Sequence, residues 1–140
     1  MIILAANIDA AHRRKVLVVD DSRDFADTLA KLLTQRGYEV RVAYSGPQGL
    51  DLAVEFEPEA IICDLVMPEM SGYELARSLR GDRELSAILL VAVTGFMTAD
   101  AERRARRVGF DGFLAKPIEG DDLVRLFERL RWRSDHKGSG

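Results

Sequence analysis

The chain has 140 residues, 20 Lys+Arg against 23 Asp+Glu, a net charge of −3 and 47% hydrophobic residues. That length suits one domain whose core needs no disulfide or metal staple, and the acidic balance argues against holding nucleic acid by phosphate neutralisation. Cys63 is the single cysteine and no zinc-type Cys/His spacing occurs, while the near-apolar runs at 1–6 and 87–93 fall far short of the roughly 20 residues of a membrane span, so the expectation is a cytoplasmic protein.

Residues 1–14 show no clean period and read as an N-terminal extension outside the core. Val16 to Val19 is a continuous apolar run, as in a strand covered on both faces. Phe25, Leu29, Leu32 and Leu33 then recur at helical spacing, and Gly37 ends that helix. Residues 38–43 alternate loosely and suit a more exposed strand. Pro47 opens a second helix with Leu50, Ala53 and Val54 on its inner face. Residues 60–63 form strand three, and 72–80 a helix carrying Leu75 and Leu79. Residues 88–93 make strand four, 99–108 a helix and 112–115 strand five. Leu123, Leu126, Phe127 and Leu130 mark a final helix over 121–131, and 133–140 reads as a disordered polar tail. Residues 15–132 are thus expected to be the folded domain.

Five strands alternating with five helices specify a parallel sheet covered on both faces, a doubly wound α/β sandwich. Ligands in such folds sit outside the carboxyl ends of the strands. Strand one ends in Asp20-Asp21, strand three in Asp64, strand four in Thr94 and strand five in Lys116-Pro117. Clustered carboxylates repel unless they bind a cation or share protons. Hard oxygen ligands of this kind suit magnesium. Lys116 and Thr94 offer a point charge and a hydrogen bond to a phosphoryl group.

Other chemistries of this fold lack their residues. No GxxxxGK[ST] loop is present, and no GxGxxG follows strand one. A phosphatase of the haloacid-dehalogenase type needs a second acid two residues after its nucleophile, where Val66 stands.

Asp20-Asp21, the run from Asp64 through Val66, Pro68 and Ser71 to Gly72 (DLVMPEMSG), Thr94-Gly95 and Lys116-Pro117 resemble the receiver domain of two-component response regulators. The similarity covers roughly 15–131. It implies a flavodoxin-like (βα)5 fold with strand order 2-1-3-4-5. It further implies that Asp64 accepts a phosphoryl group from the phosphohistidine of a histidine kinase or a histidine phosphotransfer protein. On this reading Mg2+ is held by Asp21, Asp64 and the backbone carbonyl of Val66, with Asp20 acting through a metal-bound water or directly. Lys116 pairs with one phosphoryl oxygen and Thr94 donates its hydroxyl to another. Phe113 lies where the family often carries an aromatic that turns inward when Thr94 moves, a two-state element biased by a covalent charge. Lys116-Pro117 stands where the family has a cis peptide.

The resemblance also directs attention to the surface of the fourth helix, fifth strand and fifth helix as the place for an output partner. Arg103, Arg104, Arg106 and Arg107 lie there, although acid first and base last along that helix also suits a solvated face. His12 and His136 have no partners at ligand spacing. Within these residues no output domain is expected after the last helix, and the expected readings are a stand-alone receiver, the receiver of a hybrid histidine kinase or that of a longer regulator. The expected role is a signalling phosphoacceptor rather than an enzyme; the alternatives are a non-phosphorylated scaffold and an aspartyl-phosphate phosphatase. Val66 and Phe96, two positions after Asp64 and Thr94, are apolar and are expected to slow the attack of water on a phosphorylated Asp64.

Overall fold

The computed structural model describes residues 13–119 and 121–139, with side chains described as far as Leu130. Residues 1–12, and with them most of the expected N-terminal extension, lie outside the described residues. Strands β1 (Lys15–Val19), β2 (Glu39–Ala43), β3 (Ala60–Cys63), β4 (Leu89–Thr94) and β5 (Gly112–Ala115) alternate with helices α1 (Arg23–Gln35), α2 (Gly46–Phe56), α3 (Gly72–Gly81), α4 (Ala99–Val108) and α5 (Asp122–Ser139). All four strand pairs are parallel and the order is β2-β1-β3-β4-β5. This is the expected doubly wound sandwich.

Because successive strand residues face opposite sides of the sheet, β1 feeds two cores. Leu17 and Val19 join Ile61, Cys63, Leu90 and Ala92 under α2, α3 and α4. Val16 and Val18 join Ile62, Val91 and Val93 under α1 and α5, where Leu29, Leu33, Leu123 and Phe127 complete the layer. Burial on both faces is why these strands read as continuous apolar runs.

Two strand boundaries differ from the sequence expectation, each for a local reason. Tyr38 is not in β2: its N–H donates to the Leu33 carbonyl, closing the end of α1 beyond Gly37, which sits at φ 97°. Ile88 is not in β4, because its N–H still closes a turn onto Leu85. The last helix also departs from expectation. It continues to Ser139, so most of the segment expected as a disordered tail has helical backbone; neither Gly nor Pro interrupts the chain from Asp122 to Lys137.

Four of the five helices are started by hydroxyl caps. Ser22, Ser45, Ser71 and Thr98 accept from the N–H groups of Phe25, Gln48, Glu74 and Ala101 respectively. Ser71 and Gly72 do more than start α3. A Cβ on Gly72 would lie 2.3 Å from the Asp64 carbonyl oxygen, so only glycine lets α3 begin directly against the backbone of Asp64. At the opposite end of the sheet, Arg80 donates to the carbonyls of Ser86, Ile88 and Gly109 and pairs with Asp111 at 2.9 Å. That guanidinium ties α3 to the turn between α4 and β5.

Candidate functional site

The site lies where the strand order reverses, with β2 on one side of β1 and β3 on the other. Each key residue follows its strand by one position and remains tied to a neighbour. The Asp20 N–H donates to Ala43, that of Asp64 to Val19 and that of Lys116 to Thr94, at 3.1, 3.1 and 2.9 Å. Since Val19 is level with Cys63 in the register, Asp20 and Asp64 emerge side by side.

The side chains then converge. Lys116 Nζ lies 2.9 Å from Asp20 Oδ2 and 3.3 Å from Asp64 Oδ2, bridging strands one, three and five. Asp20, Asp21 and Asp64 each place a carboxylate oxygen within 4.8 Å of the others. Asp20 is 2% exposed and Asp64 9%, whereas Asp21 is open to solvent. The second oxygen of Asp20 accepts from the Ser22 N–H at 2.9 Å, and that of Asp64 from the Val66 N–H at 3.3 Å. The Lys116–Pro117 peptide is cis.

Charge is out of balance here: three carboxylates face one ammonium. Burial pushes the Asp20 carboxyl above its ordinary range, and the neighbouring Asp64 charge adds to that, against hydrogen bonds from Lys116 and Ser22. Burial pulls Lys116 the other way, but Asp20 and Asp64 together hold it above the usual lysine value. The two shifts share one pair and still agree, because Lys116 meets two carboxylates while the more buried Asp20 meets one ammonium and a second acid. The donor set therefore fits a hard divalent cation, whose charge offsets the excess.

The remaining expected residues fall around this centre. Thr94 ends β4 and is 1% exposed; its carbonyl is tied to Lys116, and its hydroxyl makes no hydrogen bond to the carboxylates. Phe113, on β5 opposite Ala92, is half-buried against the α2–α4 core. Val66 and Phe96 are 62% and 77% exposed, so neither is packed into the protein. A Cβ on Gly95 would meet nothing within 4 Å, which leaves room beside Thr94. Cys63 is buried, and burial pushes its thiol well above the ordinary value, so it acts as a packing group. One residue went unnoticed in the sequence. The Phe25 ring lies under Lys116 Nζ, 4.1 Å from centroid to nitrogen, and adds a cation–π contact to the ammonium. Its helical spacing marked it only as a core residue.

The family model described as "Response regulator receiver domain" matches residues 16–128. The chain belongs to that family. It is 36% identical over 118 residues to the polar-differentiation response regulator DivK of Brucella ovis, covering 84% of this chain and 94% of that one. Among solved structures it resembles Vibrio cholerae chemotaxis protein CheY4, with TM-score 0.81, 29% identity and coverage of 84% and 98%. The signal receiver domain of a histidine kinase from Syntrophus aciditrophicus is also similar, with TM-score 0.76, 31% identity and coverage of 84% and 89%. The chain is thus a receiver domain of two-component signalling, and no helix among its described residues is long and apolar enough to cross a membrane.

The electrostatics make a test of stability. A raised Asp20 contributes stability below the ordinary carboxylate value of 3.8, and that contribution is lost as pH rises through its raised value. Without added metal, Asp20→Asn is expected to stabilise the fold at neutral pH on the order of 1 kcal/mol. The gain should shrink towards zero below pH 3.8. Urea unfolding of both proteins across that range measures it.

Proposed function

We propose that this receiver domain is a phosphoacceptor: Asp64 takes a phosphoryl group from the phosphohistidine of a histidine kinase or a histidine phosphotransfer protein. The observation that carries this reading is the bridge from Lys116 to both Asp20 and Asp64, with Asp21 within reach of the same point. A carboxylate oxygen of Asp64 attacks phosphorus, the phosphorus–nitrogen bond breaks, and the imidazole leaves. A carboxylate is a modest nucleophile, so the rate depends on in-line positioning and charge neutralisation.

Asp20, Asp21, Asp64 and the backbone carbonyl of Val66 are the residues that would hold Mg2+. That ion neutralises charge on the transferring phosphoryl group. Lys116 is already beside the Asp64 oxygen and pairs with a phosphoryl oxygen once it arrives. Thr94 turns its hydroxyl towards a second oxygen, using the room beside Gly95, and Phe113 follows inward. The α4–β5–α5 surface, which carries Phe113 and the α4 arginines, then presents a different face to an output partner. The domain assists its own phosphorylation and dephosphorylation and is otherwise a signalling protein, acting in the cytoplasm without membrane or nucleic-acid contact. Residues 15–132 are the working unit of this reading. A scaffold without phosphorylation has no use for a lysine held between two acids, and a phosphatase lacks its acid at Val66.

Incubation with acetyl phosphate and magnesium, followed by intact mass, is expected to add one phosphoryl group to the wild type and none to Asp64→Asn. Stoichiometric labelling of Asp64→Asn would overturn the assignment.

The exposed apolar pair Val66 and Phe96 bears on how long the phosphorylated state lasts. Neither side chain can accept a hydrogen bond from an attacking water, and both are exposed rather than in the core. Slow self-dephosphorylation follows. Val66→Asn with Phe96→Glu is expected to hasten phosphate release roughly ten-fold, equivalent to about 1.4 kcal/mol of barrier. A phosphate-release time course in excess magnesium checks it, and equal decay rates would show that these positions do not gate water.

A further inference from the structure

Helix α4 is weakly seated by ordinary burial: of its ten residues only Ala105 is fully buried. Aromatic faces on its neighbours receive its arginines instead. The Arg104 guanidinium stands 4.0 Å over the Tyr73 ring of α3, and that of Arg106 stands 4.6 Å over the Phe113 ring of β5. Glu102, one turn back on α4, lies 3.6 Å from the Arg106 guanidinium and helps orient it. Arg106 also shares with Phe113 the wall of a surface cavity of about 550 Å³, which runs from α4 across β5 to Leu126 and Leu130 of α5. One face of the Phe113 ring is therefore covered by a cation of the neighbouring helix.

We infer that Arg106 is a positioning residue which holds Phe113 in its outward, half-buried place and so sets how readily the domain adopts its phosphorylated form. This rests on the proposed phosphoacceptor reading, in which Phe113 turns inward. A ring that moves inward leaves the guanidinium, so the stacking energy is present in one state and absent in the other. A contact made in only one of two states biases the equilibrium by its full value. Exposed cation–π contacts are of a size that changes a population about two- to five-fold. Tyr73 with Arg104 offers no such bias, because Tyr73 is buried on α3 and is not part of the moving set.

The test is the rate of phosphorylation of the full chain by acetyl phosphate, at a donor concentration below saturation and in excess magnesium. Arg106→Met keeps the alkyl stem and removes the cation, and is expected to raise the rate about two- to five-fold. Arg106→Lys, which keeps a cation, should stay closer to wild type. Arg107→Met removes the same charge from the same helix without a described ring contact, and should leave the rate within error. The deciding measurement is the cycle with Phe113→Leu, in which Arg106→Met should change nothing. An equal gain from Arg106→Met with and without Phe113, or no gain in either, would overturn the inference while leaving the phosphoacceptor reading intact. A wild type that takes no phosphoryl group would overturn both.

Discussion

The ammonium of Lys116, held between Asp20 and Asp64, is the contact on which the site depends. It is reached from three separate strands, 96 and 52 residues apart in sequence, and it forms only if the sheet has closed in the right order. It satisfies part of the charge of two nearly buried acids and leaves the third, Asp21, facing solvent. The apo site is therefore electrostatically incomplete. A group that brings positive charge to the acids, or a phosphoryl group that gives Lys116 a new partner, changes the balance of the whole crevice.

Two architectural features make this incompleteness tolerable. The backbone N–H groups of Asp20 and Asp64 are tied into the sheet ladder, so repulsion cannot easily splay these two residues apart. The α3 helix begins against the Asp64 carbonyl through Gly72, so the acceptor is held from behind as well. Arg80 locks the far end of the same helix to the turn after α4. The site end carries the charge imbalance while the opposite end carries the clamp.

Most of the frame was legible because buried parallel strands have no polar face. The runs at Val16–Val19 and Ala60–Cys63 stand out as strands, and the first polar residue after each must lie at its end. Once the strands are placed, Asp20, Asp64, Thr94 and Lys116 follow. What sequence could not show is which way adjacent side chains turn. Asp20 and Asp21 are identical in chemistry, yet one is buried against lysine and the other open to solvent. The ring of Phe25 beneath Lys116, the Arg80 clamp and the stacking of Arg106 on Phe113 all join residues distant in sequence, and no local pattern marks such pairs. Boundary shifts at Tyr38 and Ile88 came from cap and turn hydrogen bonds that propensity does not see.

The acids, Lys116 and Thr94 form the centre of the proposed site, with Val66, Phe96 and Arg106 assigned supporting roles around them. On the proposed reading the former decide whether the domain accepts a phosphoryl group, and the latter how readily and for how long. The central claim, that the crevice is short of positive charge and built to receive a divalent cation, is tested most directly by thermal unfolding at neutral pH over a range of magnesium concentrations. The account predicts a rising Tm for the wild type, about 2.7 kcal/mol of added stability at a hundred-fold excess over Kd, and little gain for Asp21→Ala. An unchanged Tm in the wild type, or an equal rise in Asp21→Ala, would contradict it.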